Sequence, residues 1–190
     1  MDSIESVSVT APARLHMGFL DPNASLYRKF GSIGLALNEI ATRVTVRRSH
    51  RLEANGPQSE RVLNVAQNFL DALGIQDAVH VEIDQAIPEH VGLGSGTQMS
   101  LATGIAISHL FGLDLSVREV ASLTDRGARS GIGIGTFEFG GLIVDGGRAL
   151  GTETPPIICR APAFHIQLHL DDYVHLGIPI FKYLQQNALS

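Results

Sequence analysis

The segment Ile87-Pro88-Glu89-His90-Val91-Gly92-Leu93-Gly94-Ser95-Gly96-Thr97-Gln98-Met99-Ser100 places three glycines within five positions, directly ahead of a long uncharged stretch. Glycines let a ligand come close to the backbone. The start of a helix aims several N–H groups, and the positive end of its macrodipole, at whatever lies in front of it. Such a segment suits a phosphate or pyrophosphate. It fits none of the common templates: GxxxxGK[ST] lacks its Lys, GxGxxG lacks a glycine at Thr97, and GxSxG fails because Leu93 precedes Gly94. A tight strand-to-helix turn is the plainer reading of the same residues.

The surrounding elements have to hold that loop in place. Val7 and Val9 alternate with polar neighbours and lead through APARLHMGFL to a loop near Asp21-Pro22-Asn23, which reads as a strand. ATRVTVRRS, from Ala41 to Ser49, reads as a second, half-buried strand. Val62, Val65, Ala66, Phe69, Leu70 and Leu73 have the three-four spacing of an amphipathic helix over about Ser59 to Leu73, with Gly74 as its cap. Val79 to Ile83 alternates as a strand, and Pro88 ends that region.

From Ser95 to Phe111 the chain has helical length, no Asp, Glu, Lys or Arg, and many small residues, which predicts a helix buried on most sides. Ser116 and Glu119 have capping-box spacing ahead of a second helix that ends near Gly127. A second glycine-rich stretch, Ser130 to Gly141, leads to LIVDGG, whose Asp145-Gly146 is a hairpin-turn signal. Thr154 to Pro162 reads as a proline-containing connector. This order is neither all-α nor a regular βαβ alternation, and it favours an α+β fold of packed layers.

Composition narrows the function classes. With 190 residues and 44% hydrophobic content, the chain can bury a sizeable core. Its net charge of -5 and pI near 5.9 argue against a general nucleic-acid binder, so an anionic ligand must be held locally. The single Cys159 calls for no oxidising compartment, which makes the cytoplasm the expected location. MDSIESVSVT lacks the features of a signal peptide, and the uncharged run from Val91 to Leu113 is broken by glycines, serines and threonines, so neither export nor a membrane span is expected.

Pro88 followed by Gly92-Leu93-Gly94-Ser95 and a buried small-residue helix resembles the phosphate-binding motif of the GHMP superfamily, which includes galactose, homoserine and mevalonate kinases. Those kinases often carry a later SGxDxxxxxxGG segment whose Asp serves the substrate hydroxyl. Ser130-Gly131 and Gly140-Gly141 match its ends, but Gly133 stands at the Asp position. Ser122 stands where several of these kinases have a magnesium-binding Glu, and Gly96 replaces the second Ser of the loop. A glycine has no side chain with which to take a proton or bind a metal.

The pattern is similar to the β-ribofuranosylaminobenzene 5′-phosphate synthase branch of that superfamily. The matching segments are Pro12 to His16, Gly31 to Leu37, Ile87 to Gln98, Arg129 to Gly135 and Phe137 to Gly147. The resemblance implies an α+β, GHMP-kinase-like N-terminal domain of the ribosomal protein S5 domain 2-like type over residues 1–150, with its phosphate-binding loop at 88–98. Residues 151–190 are then a connector and remnant of a C-terminal domain, most of which is missing, so the chain reads as a shortened form.

The reaction implied is condensation of phosphoribosyl pyrophosphate with 4-aminobenzoate, or 4-hydroxybenzoate, with loss of carbon dioxide and pyrophosphate. It belongs to tetrahydromethanopterin biosynthesis and uses magnesium, whose protein ligands are not identified. Gly92, Leu93, Gly94, Ser95, Gly96 and Thr97, together with Ser130 and Gly131, are the phosphate- or pyrophosphate-binding candidates. Arg14, His16 and Arg129 are candidates for phosphate or carboxylate, because guanidinium pairs such groups bidentately. Glu89 and His90 are candidates to handle a proton or a magnesium-bound water. The expected partners are small-molecule substrates and, by family, a second copy in a homodimer. Surface or turn roles remain open for each of these side chains. An ATP-dependent small-molecule kinase and a non-catalytic ligand-binding relative remain the alternative functions.

Two signals compete near the C-terminus. IQLHLDDYVHLG, from Ile166 to Gly177, resembles the DDxxxTG signature of type I phosphoribosyltransferases, with Leu176 in place of Thr. His165 and His169 recur four apart with His175 nearby. The alternation in FHIQLHL nevertheless makes a polar strand face the better reading than a zinc site.

Overall fold

The computed structural model describes residues 4–20, 28–29, 31–127, 130–149 and 157–161; for 28–29, 148–149 and 157–161 it describes the backbone alone. In chain order the elements are β1 (Ser6–Phe19), β2 (Arg28–Lys29), β3 (Ser32–Ser49), β4 (Glu53–Asn55), α1 (Ser59–Leu73) and β5 (Ala78–Gln85). There follow α2 (Ser95–Leu110), α3 (Val117–Leu123), α4 (Ile132–Phe139), β6 (Leu142–Asp145), β7 (Arg148–Ala149) and β8 (Ile157–Ala161).

β3 is the spine of a six-stranded sheet. One edge of it pairs with β1 along most of its length, and the other pairs with β6 near its start and with β5 near its end, all antiparallel. β4 joins β5 in parallel through α1, and β8 extends the sheet beyond β6. A register jump between Pro12 and Ala13, whose partners are Ala41 and Leu37, bends the β1–β3 ribbon. Ala11, Val44, Val46, Val81 and Ile83 on the sheet pack against Phe69 and Ala66 of α1 and Leu101 of α2. Every residue of α2 from Gln98 to Ser108 is buried, as its lack of charged side chains predicts.

Two glycines set the helix positions. A Cβ on Gly104 would lie 2.5 Å from Val120 Cγ1 and 3.2 Å from Phe69 Cε2, so α1 and α3 close over α2 there. A Cβ on Gly34 would fall inside the van der Waals shell of Ile132 Cγ2 and 3.0 Å from the Leu15 carbonyl oxygen, so α4 docks directly onto β3.

Four readings of the sequence change. The strand read from Ala41 to Ser49 is only the second half of β3, which begins at Ser32. α3 ends at Leu123 rather than near Gly127, because Thr124 turns its hydroxyl back onto the Val120 carbonyl and Asp125 adopts a positive φ of 54°. The connector over 154–162 contains β8, which pairs with β6. Asp145-Gly146 does not form a tight hairpin: β6 pairs with β3 and β8, and β7 pairs with β2. Among the described residues no helix is long and apolar enough to cross a membrane.

Candidate anion site where two helices begin

Residues 86–94 carry the chain from β5 into α2. Gly92 (φ 83°) and Gly94 (φ 80°) both take left-handed conformations, which cost glycine little. Gly94 is the N-cap residue of α2, and no side chain caps that end. Gln98 N–H donates to the Gly94 carbonyl at 3.0 Å, so the N–H groups of Ser95, Gly96 and Thr97 precede the first helical bond of this end. The loop is pinned from below, since Ile87 and Leu93 are buried with Ala13 and Leu15 in a small second core. Thr42 Oγ1 accepts from Ile87 N–H at 3.2 Å, and Gln58 Nε2 donates to the Ile87 carbonyl at 3.0 Å.

β1 brings Arg14 against this loop. The Arg14 N–H donates to the Leu93 carbonyl at 3.0 Å, and its Nη1 donates to the Gly92 carbonyl at 2.8 Å. Its side chain runs over Gly94, where a Cβ would stand 3.0 Å from Arg14 Cγ and Nε. Gly94 is therefore required twice, by its φ and by the arginine. Burial lowers the Arg14 pKa from its ordinary value.

His16 follows two residues along the same strand. Its Nδ1 accepts from the Gly18 N–H at 3.1 Å, which places the proton of the neutral ring on Nε2. The ring meets Phe19 edge-on, with centroids 5.0 Å apart. Burial lowers the His16 pKa, the Arg14 cation lowers it further, and Asp145 opposes both. Because the folded chain binds this proton less well than the unfolded chain, the neutral ring's contribution is present above the unfolded pKa and is lost as pH falls below it. Denaturant midpoints taken at about pH 7.5 and about pH 5.5, either side of the ordinary histidine pKa, should fall less for His16→Gln than for the parent.

The second helix start is satisfied internally. Asp145 is fully buried, and its Oδ2 accepts from Gly131 N–H at 2.6 Å and from the Ser32 and Ser130 hydroxyls at 3.2 and 3.4 Å. Its Oδ1 accepts from Gly147 N–H at 2.8 Å. The protein's own carboxylate thus meets the N-terminus of α4, and the candidates Ser130 and Gly131 already donate to it. An amide in its place would turn an NH2 group toward donors, so Asp145→Asn is expected to cost about 3 kcal/mol in urea unfolding.

α4 also locks onto the first turn of α2. Gln98 Nε2 donates to the Gly133 carbonyl at 2.9 Å, and a Cβ on Gly133 would lie 2.8 Å from Thr97 Cγ2. Thr97 therefore leaves no ready room for an aspartate at position 133. The two helix starts, Arg14 and His16 form one cluster at the bent end of the β1–β3 ribbon.

Glu89 and His90 are exposed on the loop, and Glu89 pairs with Arg61 Nη1 of α1 at 2.5 Å rather than with Arg14 or His16. Gln58 Oε1 accepts from the same Nη1 at 3.3 Å. Arg129 lies outside the described residues, as do His165, His169, His175 and the segment Ile166 to Gly177. The sequence reading missed Arg61, which looked like one polar residue among many on an amphipathic helix. It also missed the anchoring carboxylate of Asp145.

The GHMP kinases N terminal domain model matches residues 60–141. The chain is 38% identical over 157 residues to a β-ribofuranosylphenol 5′-phosphate synthase of Methanocaldococcus jannaschii, a match covering 75% of this chain and 48% of that protein. It is 39% identical over 140 residues to the Archaeoglobus fulgidus protein of the same name, covering 73% and 44%. The chain thus spans about half the length of the curated relatives it matches. Among solved structures, L. major mevalonate kinase in complex with R-mevalonate superposes with a TM-score of 0.59 at 16% identity, covering 96% of this chain and 63% of that one.

Proposed function

The chain belongs to the GHMP kinase superfamily, in its β-ribofuranosylphenol 5′-phosphate synthase branch, and from that membership we propose that it serves as a decarboxylating phosphoribosyltransferase. Its donor is phosphoribosyl pyrophosphate, and its acceptor is a benzoate with an electron-donating 4-amino or 4-hydroxy group. The phenol in the relatives' name favours 4-hydroxybenzoate. The observation that carries the reading is the open first turn of α2 beside Arg14, with no side-chain cap on that end.

In this reaction the bond between ribosyl C1 and the pyrophosphate oxygen breaks, and its electron pair leaves with pyrophosphate. The ring carbon that bears the carboxylate attacks C1. The bond to the carboxylate then breaks, carbon dioxide departs, and the released pair restores the aromatic ring. Charge develops on the departing pyrophosphate, so fixed N–H donors of Ser95 to Thr97 stabilise it where it forms, and Arg14 adds a cation held in place by the loop backbone. His16, neutral and with its proton on Nε2, is a donor to a phosphoryl or carboxylate oxygen. Arg129 completes the proposal as a second guanidinium.

Magnesium enters the proposal with the pyrophosphate. Bound magnesium would be held by the phosphate oxygens with water and one or two carboxylates, and would neutralise part of the charge on the leaving group. The crowding of position 133 by Thr97 weighs against the kinase alternative, whose aspartate belongs there.

The test supplies the chain with phosphoribosyl pyrophosphate, magnesium and either carboxyl-labelled acceptor. Labelled carbon dioxide released in step with pyrophosphate is the expected result. Binding of phosphoribosyl pyrophosphate without release would assign the chain a ligand-binding role, and consumption of ATP with a small alcohol would replace the synthase reading with the kinase one.

A further inference from the structure

A groove between α1 and the end of α3 takes no part in the chemistry above. Its cavity of about 360 Å³ is walled by Arg61, Asn64 and Asn68 on one stripe of α1 and by Thr124 to Arg126 on the other side. α2 lies beneath: Arg126 Nε donates to Ser100 Oγ at 3.1 Å, and Arg61 Nη1 lies 3.9 Å from where a Cβ on Gly96 would stand. The Ser100 hydroxyl folds back onto the Gly96 carbonyl at 2.9 Å, which leaves small residues under both arginines. At Gly104 the contacts of Val120 and Phe69 bring α1 and α3 together, so the groove leads from there toward Gly96 and the loop.

We infer that this groove is a second anion subsite, which takes the 5-phosphate end of a phosphoribosyl ligand whose pyrophosphate lies at the start of α2. The inference rests on the synthase reading, which supplies a ligand with phosphoryl groups at both ends of a pentose. The Gly96 and Ser100 levels are about 6 Å apart along α2, a separation that a pentose with its two substituents bridges. Two guanidinium forks suit a phosphate, and the Asn64 and Asn68 amides add donors for its oxygens or the sugar hydroxyls. Glu89, which shares Arg61, and Asp125, exposed on the groove wall, offset the two cations. Affinity there comes from short-range pairing rather than from a general positive field.

Calorimetry with this chain and three probes, inorganic pyrophosphate, ribose 5-phosphate and phosphoribosyl pyrophosphate, tests the assignment. Arg126→Ala should weaken the two ribose-containing probes by about 10-fold or more while changing pyrophosphate less than about twofold. Because Arg126 also braces Ser100, Asn64→Asp serves as a second variant: position 64 is exposed on α1, and the change adds negative charge to the groove wall. It should give the same pattern. Equal losses for all three probes, no loss for any, or failure of ribose 5-phosphate to bind the parent chain would overturn the subsite. Phosphoribosyl pyrophosphate turnover unaffected by both variants would overturn the subsite and leave the synthase reading standing. Arg126-dependent binding of ribose 5-phosphate without any carbon dioxide release would do the reverse.

Discussion

Arg14→Ala is expected to weaken pyrophosphate binding by about 100-fold, equivalent to about 2.7 kcal/mol. Two losses combine in that figure. The guanidinium holds the Gly92 carbonyl at 2.8 Å and packs over Gly94, so its removal frees the loop that presents the N–H groups of Ser95 to Thr97. It also removes a partly buried cation close to the bound anion, where a charge-assisted bond is worth about 1.5–3 kcal/mol. Arg14→Lys restores the charge but not the fork, and its affinity should lie between the two, about 10-fold below the parent. Isothermal calorimetry with inorganic pyrophosphate measures both. Parent-like affinity in the alanine variant would remove Arg14 from the site.

Gly34→Ala is expected to destabilise the fold by overpacking. The added methyl would collide with Ile132 Cγ2 and press on the Leu15 carbonyl oxygen, between a central strand and a buried helix. Overpacking of this kind costs about 3 kcal/mol, a fall in Tm of roughly 6–12 °C for a chain of this size. Ile132→Ala alone opens a cavity and costs about 2–5 kcal/mol. The double variant places a small side chain opposite the new methyl, so its cost should fall below the sum of the single costs by about 1 kcal/mol or more. Strict additivity would mean that α4 does not dock on β3 at this contact. Pyrophosphate binding should weaken along with stability, because the first turn of α4 supports that of α2 through Gln98 and Thr97.

The sequence was most legible where local chemistry and burial agree. α1 occupies Ser59–Leu73, as its apolar spacing and Gly74 indicate, and α2 begins at Ser95 directly after the glycine that caps it. The capping box forms as its spacing predicts: Glu119 N–H donates to Ser116 Oγ at 3.3 Å, and Glu119 Oε2 accepts from Ser116 N–H at 2.8 Å. α4 was illegible because Ile132-Gly133-Ile134-Gly135 has poor helix propensity, each glycine costing about 1 kcal/mol relative to alanine. Tertiary contacts stabilise it instead: the Asp145 carboxylate at its start, Gly34 beneath it, and the burial of Ile132 and Ile134.

The site divides in the same way. Arg14 and the loop were legible because a resemblance tied together segments that are distant in the chain. Arg61 was not, because only the fold brings α1 to Glu89 and to the start of α2. Asp145 was misread because Asp-Gly is a common turn dipeptide, and nothing local distinguishes a turn aspartate from a buried one that anchors a helix.

Backbone amide NMR of the isotopically labelled chain, titrated with inorganic pyrophosphate, tests the central claim most directly. The largest shifts should fall on the N–H groups of Ser95, Gly96 and Thr97, saturate together, and disappear in Arg14→Ala, while Gly131, already bonded to Asp145, should move much less. Saturating shifts centred on Gly131 and Ile132, or on residues remote from the start of α2, would contradict it.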